Sequence, residues 1–223
     1  MVRQRIRNKI EGEDTVIEFW NELLTRASWE KLQKLSIEFE FILIGGWAIF
    51  LWTNKHKSKV IDIIVDYKIL SKLQEEYQLI KNDRLKKYEI KFDKFDIDIY
   101  LPYYSKLAIP VADLSKFSVS VQGITTLEPE ALLILKQGAE LERRNSVKGQ
   151  KDMIDILTIL IYGSPGLNKY YEIIGKYNLK NYLIELIYVV NNFNLKDVDY
   201  LDMNLKKFVN WKKDIIKRLK ELK

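Results

Sequence analysis

Apolar and polar positions along the chain change their period several times. Between residues 13 and 36, Val16, Phe19, Trp20, Leu23, Leu24 and Trp29 recur at helical spacing and predict a helix. "FEFILIG" then reads as a short buried strand, "GWAIFLWTN" as a short apolar helix and "KVIDIIVDY" as a second buried strand. "KILSKLQEEY" predicts another helix. "YEIKF" and "KFDIDIYLP" follow as strands, with "FDKF" as the tight connection of a hairpin. The second strand alternates, with Phe95, Ile97, Ile99 and Leu101 on one face and Asp96, Asp98 and Tyr100 on the other. "FSVSVQGITTL" predicts one more alternating strand.

After "TLEPE" the character changes. Thr126 as a cap, with Pro129 in the first turn, opens "EALLILKQGAELERR" as a helix. From there the pattern predicts only helices, over 128–144, 150–162, 167–176, 180–193 and 203–222, broken at "YGSPG". The expected fold class is α+β. A mixed sheet with flanking helices, preceded by the N-terminal helix, occupies 1–126, and a helical domain occupies 127–223. Two such subdomains leave a natural cleft between them.

The 223 residues, 47% apolar and 30% charged, suit a soluble globular protein and exclude wholesale disorder. The absence of cysteine excludes disulfides, zinc–thiolate sites and a Cys nucleophile. Heavy use of Lys, Ile, Leu and Tyr points to an AT-rich or heat-adapted source, archaeal or thermophile-like. "MVRQRIRNKIEGED" lacks the apolar segment of a secretory signal, and no apolar run reaches the ~18 residues of a membrane span. A cytoplasmic location without membrane contact is therefore expected.

The net charge is +6, and residues 201–223 hold eight Lys or Arg against three Asp or Glu. That basic end suits RNA, and it equally suits a plain solvated helix face.

"LIGGW" is where chemistry first enters. A strand ending in Gly45-Gly46 lets backbone approach a ligand, and the helix beginning there points free N–H groups at it, which suits a phosphate. Asp62 interrupts an apolar strand, and Asp96 and Asp98 share a face of a later one. Carboxylates converging beside a phosphate site would hold Mg²⁺. The plainer alternative puts Asp96, more than Asp98, on the wet face of an edge strand.

In the helical half, Lys136, Glu140, Arg143 and Arg144 fall on roughly one helix face, and Lys148, Lys151, Asp152 and Asp155 follow. Lys136 and Arg143 are candidates to meet phosphates, with Asp152 orienting one of them, and Lys148–Asp152 and Lys151–Asp155 can pair. His56, in the polar "TNKHKSK" loop, is expected to be exposed, and Ser58 beside it lacks a base, which argues against Ser–His hydrolysis. The five tryptophans and the tyrosines of the tail are expected to pack.

"GGWAIFLWTNKHKSKVID" resembles the signature of the DNA polymerase β-like nucleotidyltransferase superfamily: a Gly pair opening a helix, an Asp-x-Asp strand, and a third Asp on a later strand. "LLILKQGAELERRNSVKGQKDMIDILTIL" is similar to the second half of small prokaryotic members, including the toxin-type enzymes of abortive-infection systems. The resemblance implies a nucleotidyltransferase fold binding a nucleoside triphosphate such as ATP with Mg²⁺. Asp62 and Asp98 would be catalytic and hold the metal, with Asp96 a near competitor. Gly45, Gly46, Lys136, Arg143 and Lys148 would bind nucleotide. The acceptor would be a hydroxyl of RNA (tRNA for instance), of a protein or of a small molecule, and an antitoxin or a second copy of the chain would be the partner. Val60 stands where the first acid of Asp-x-Asp should be. That departure leaves three readings: a transferase, an inactive nucleotide- or RNA-binding module, and a structural partner protein.

Overall fold

A computed structural model gives the protein's structure for residues 6–10, 13–17 and 22–222, with side chains from Leu24 onward. The predicted helix over 13–36 divides. Its first part is strand β2 (Glu13–Ile17), paired antiparallel with β1 (Ile6–Ile10). The β-branched run Thr15-Val16-Ile17 favours strand over helix, which local spacing alone does not reveal. Phe19 and Trp20 lie outside the described residues. Helix α1 (Glu22–Glu38) follows, burying Thr25, Ser28, Leu32 and Leu35 along one stripe.

The centre is a mixed sheet of seven strands. After β3 (Ile42–Ile44) come helix α2 (Gly45–Thr53), β4 (Val60–Ile64), helix α3 (Tyr67–Glu76), β5 (Ile80–Asn82), β6 (Lys87–Lys91) and β7 (Asp96–Tyr100). A 3-10 turn, Val111–Phe117, leads to β8 (Ser118–Val121) and β9 (Ile124–Leu127). The spatial order is β5-β6-β7-β4-β3-β9-β8, with β4–β7 and β3–β9 parallel and the other pairs antiparallel.

The stretch read as one strand, "FSVSVQGITTL", is thus the hairpin β8–β9. Gln122 and Gly123 both have positive φ (52° and 80°), the condition for a two-residue turn matching strand twist. Thr126 does not cap the next helix: it lies in β9, and its Oγ1 donates to the Leu43 carbonyl at 2.8 Å. Strand β5, with little apolar content, escaped the pattern.

The helical half is α4 (Pro129–Arg143), α5 (Val147–Thr158), a π turn (Ile159–Gly163), α6 (Leu167–Lys176), α7 (Asn181–Asn192), a 3-10 turn (Leu195–Leu201) and α8 (Leu205–Lys220). Each of the five predicted helices is present within a few residues of its expected bounds. The chain is α+β, a mixed sheet with flanking helices followed by a helical bundle.

One apolar core runs through both halves. Ile61, Ile63, Ile97 and Ile99 are buried on one sheet face, each contributing roughly 1.5–3 kcal/mol, and this leaves the alternate positions for polar work. Trp47 is fully buried, and its Nε1 donates to Ser28 Oγ, which donates on to the Ser58 carbonyl at 2.8 Å. Helix α1 and the loop before β4 are thereby tied to α2. Trp29, Trp47, Trp52 and Trp211 all pack in or against the core, as expected. Among the described residues, no helix is long and apolar enough to cross a membrane.

Candidate active site

Sheet register places the acids. In the parallel pair β4–β7, Val60 stands opposite Asp96 and Asp62 opposite Asp98. Antiparallel pairing of β6 on β7 sets Glu89 opposite Asp98 and Lys91 opposite Asp96. Because strand positions two apart share a face, Asp62, Asp98 and Glu89 form one row across three strands. Val60, Asp96 and Lys91 form the row beside it.

The glycines are fitted to this row. Ile44 pairs with Asp62, and the chain turns at Gly45 with φ +70°, a conformation that favours glycine. A Cβ on Gly45 would lie 2.2 Å from Asp62 Oδ2. Helix α2 begins here, and the residue before it, Ile44, supplies no side-chain cap, so its first N–H groups are left for another partner. A Cβ on Gly46 would lie 2.8 Å from Ser58 Cβ and 3.4 Å from Lys151 Nζ. The Lys151 ammonium therefore stands at the start of α2.

Among the described residues, no hydrogen bond or ion pair reaches the Asp62 carboxylate. It retains some solvent access, yet burial and then the Asp98 charge push it up to about 6, against the pull of Lys136, Lys87 and Lys151. Asp98 is also raised by burial, which its ion pair with Lys87 offsets only in part. Lys87 reaches Glu89 as well, at 3.0 Å. Burial works to raise Glu89, but Asn82, Lys87 and Lys91 hold it down at about 2. Asp96 faces Lys91 at 3.0 Å and is more exposed than Asp98.

From the helical half, Lys136 and Arg143 converge on the buried Asp152. Arg143 grips it with Nε and Nη2 at 2.6 and 3.0 Å, and Lys136 lies 3.2 Å from it and 2.7 Å from Asp155. Lys151 approaches Asp155 at 3.6 Å. Against the upward push of burial, Lys136 and Lys151 hold Asp155 at about 2. Burial works to lower Lys136, but Asp155, Asp152 and Asp62 raise it overall. The other two members of the predicted face turn away: Arg144 pairs with Glu140 and with Glu185 of α7.

Several expected residues are placed differently. Lys148 is exposed and does not pair with Asp152, whereas Lys151, not among the candidates for nucleotide, reaches the glycine turn. Lys148 and Lys151 sit one turn apart on α5, and only the packing of α5 against α2 decides between them. His56 is half-buried rather than exposed, with φ +53°; burial lowers its pKa, while Asp155 and the Tyr200 backbone raise it. Asp66 caps α3, accepting from the Ile69 N–H at 2.7 Å, and does not supply the missing acid. Tyr170 and Tyr182 are core residues, while Tyr188 packs its ring against Arg144.

Asp62 and Asp98 offer hard oxygen ligands in lateral register, one of them without a partner among the described residues. That donor set fits one Mg²⁺ completing its shell with water and phosphate. It does not fit two metals: the Val60 side chain offers no oxygen, and Asp96 is turned to Lys91.

No family model matches the sequence, and neither does any curated protein. Among solved structures, the chain is similar to an antigenic nucleotidyltransferase-like protein from Paracoccidioides brasiliensis, at 17% identity and a TM-score of 0.42, covering 80% of this chain and 92% of that one. It is also similar to JHP933 from Helicobacter pylori, at 15% identity and a TM-score of 0.42, covering 90% of this chain and 95% of that one. Similarity at this level says nothing about activity.

Proposed function

We propose that the site formed by Asp62, Asp98 and the start of α2 binds a nucleoside triphosphate with Mg²⁺ and transfers its nucleotidyl group to a hydroxyl. The observation that carries this reading is the juxtaposition of Asp62 and Asp98 with the start of α2 and Lys151. Asp62 and Asp98 would hold the cation, which when bound polarises the α-phosphoryl group and lowers the pKa of the attacking hydroxyl. Gly45 and Gly46 admit the phosphates to the N–H groups of α2, and Lys151, Lys136 and Arg143 neutralise them. Asp152 and Asp155 fix those cations in place. The acceptor oxygen attacks the α-phosphorus, the bond to the bridging oxygen breaks, pyrophosphate leaves, and a carboxylate of the pair takes the hydroxyl proton.

RNA is the acceptor best matched to the charge. Helix α8 buries Phe208, Ile215 and Leu219 and turns Lys206, Lys207, Lys213, Lys217 and Lys220 to solvent.

A second reading, an inactive nucleotide- or RNA-binding module, is favoured by Val60. Its row offers only Asp96 and Lys91, which neutralise each other. The test sets wild type beside Val60→Asp, with α-labelled nucleoside triphosphates, Mg²⁺ and total RNA. Label on RNA with pyrophosphate release from either protein supports the transferase. Nucleotide binding without pyrophosphate release from both supports the binding module.

A further inference from the structure

Lys87 has no counterpart among the residues picked out from the sequence, yet it is the cation nearest the acid row. It is buried in β6, its ammonium joined to Asp98 on one side and to Glu89, 3.0 Å away, on the other. Asp98 and Glu89 face each other across β6–β7, so Lys87 sits between two carboxylates that are already in register. The two differ in their other partners. Glu89 also receives Asn82 at 2.9 Å and Lys91 at 3.1 Å, whereas among the described residues Asp98 has no further ion pair and borders Asp62, which has none.

We propose that Lys87 is a tethered placeholder for the divalent cation. It occupies Asp98 while the metal is absent and is handed over to Glu89 when a cation takes Asp98 and Asp62. This rests on the metal-dependent reading above. Two buried carboxylates side by side are costly without positive charge between them, and the sheet supplies that charge from its own neighbouring strand. Since Lys87 already reaches Glu89, the handover demands no new partner, only release of one of its two contacts. Glu89 is then a positioning residue: its carboxylate, fastened by Asn82 and Lys91, receives the displaced ammonium. One consequence is that free cation binds weakly and competes with a lysine, so a triphosphate carrying its own metal is favoured over metal alone.

The experiment is a titration with Mn²⁺ alone, followed by electron paramagnetic resonance and calorimetry, on wild type, Lys87→Met, Glu89→Gln and the double variant. Removing the competing ammonium is expected to tighten Mn²⁺ binding by about tenfold or more. Glu89→Gln is expected to weaken binding several-fold in the wild-type background and to have little effect beside Lys87→Met, because without the lysine there is nothing to receive. Circular dichroism checks each fold, and Lys87→Gln, which keeps a donor for Asp98, replaces the methionine variant if that does not fold. Unchanged affinity in Lys87→Met while wild type binds Mn²⁺ overturns the placeholder alone, as does equal weakening by Glu89→Gln in both backgrounds. No Mn²⁺ binding by any of these proteins, with or without a nucleoside triphosphate, overturns the metal-dependent reading and the placeholder with it.

Discussion

Asp62 lies over Gly45 so closely that a methyl group on the glycine would meet Oδ2 at 2.2 Å, and Gly45 itself holds a φ of +70°. The glycine at the start of α2 and the acid in β4 are therefore one feature. Gly45→Ala must either move the carboxylate or unbend the start of α2. It should cost at least ~1–3 kcal/mol of stability and abolish nucleotide binding. Urea unfolding and a nucleotide titration check both parts, and wild-type values in both would mean that Asp62 does not stand where it is placed.

Asp62 should also destabilise the fold at neutral pH. Its native pKa, about 6, exceeds its ordinary value of 3.8, so between those values the native state holds more protons than the unfolded state. Stability then falls as pH rises through that window, and the penalty is complete above it. With divalent cations chelated, Asp62→Asn should be more stable than wild type at pH 7.5, and that advantage should disappear near pH 4. Thermal melts at the two pH values test this, and an Asn variant less stable at pH 7.5 would count against it.

Asp152 holds Arg143 through two hydrogen bonds and draws in Lys136. Asp152→Asn leaves those cations short of a partner. The expected loss is roughly 2–3 kcal/mol, below the ~3–5 of a fully buried pair, because Asp155 retains Lys136 and Arg143 reaches solvent. Urea midpoints at pH 7 measure it.

Lys148 and Lys151 divide sharply. Lys151→Ala should weaken triphosphate affinity by about tenfold or more, while Lys148→Ala should change it less than about twofold. Calorimetry with a non-hydrolysable triphosphate decides, and the reverse ranking would remove Lys151 from the phosphate site.

Much of this was written in the periodicity. Alternation in "KFDIDIYLP" assigned Asp96 and Asp98 to one face, and the structure keeps them there. What alternation does not convey is the strand alongside: Lys91 meets Asp96 and Lys87 meets Asp98 because β6 folds back in one particular register. The split of residues 13–36 was obscured because Val16 fits a helical stripe as well as a strand; the β-branched run was the signal available. Lys151 was hidden for a different reason. Its role depends on the approach of α5 to α2, a contact between residues about a hundred positions apart that local spacing does not encode. The same holds for His56, whose burial comes from elements that follow it late in the chain.

Lys55 is joined to Asp202 at 2.7 Å, across 147 residues of sequence, and packs over the Tyr162 ring. The loop it anchors connects α2 to β4, and so connects the glycines to Asp62. During synthesis the glycines and both acids leave the ribosome long before Asp202 is made. Until then the loop is held only at its Ser58 end, through Ser28, and the helices bearing Lys136 and Lys151 are also still to come. The acid row is thus made before the helix-borne cations that come to stand beside it.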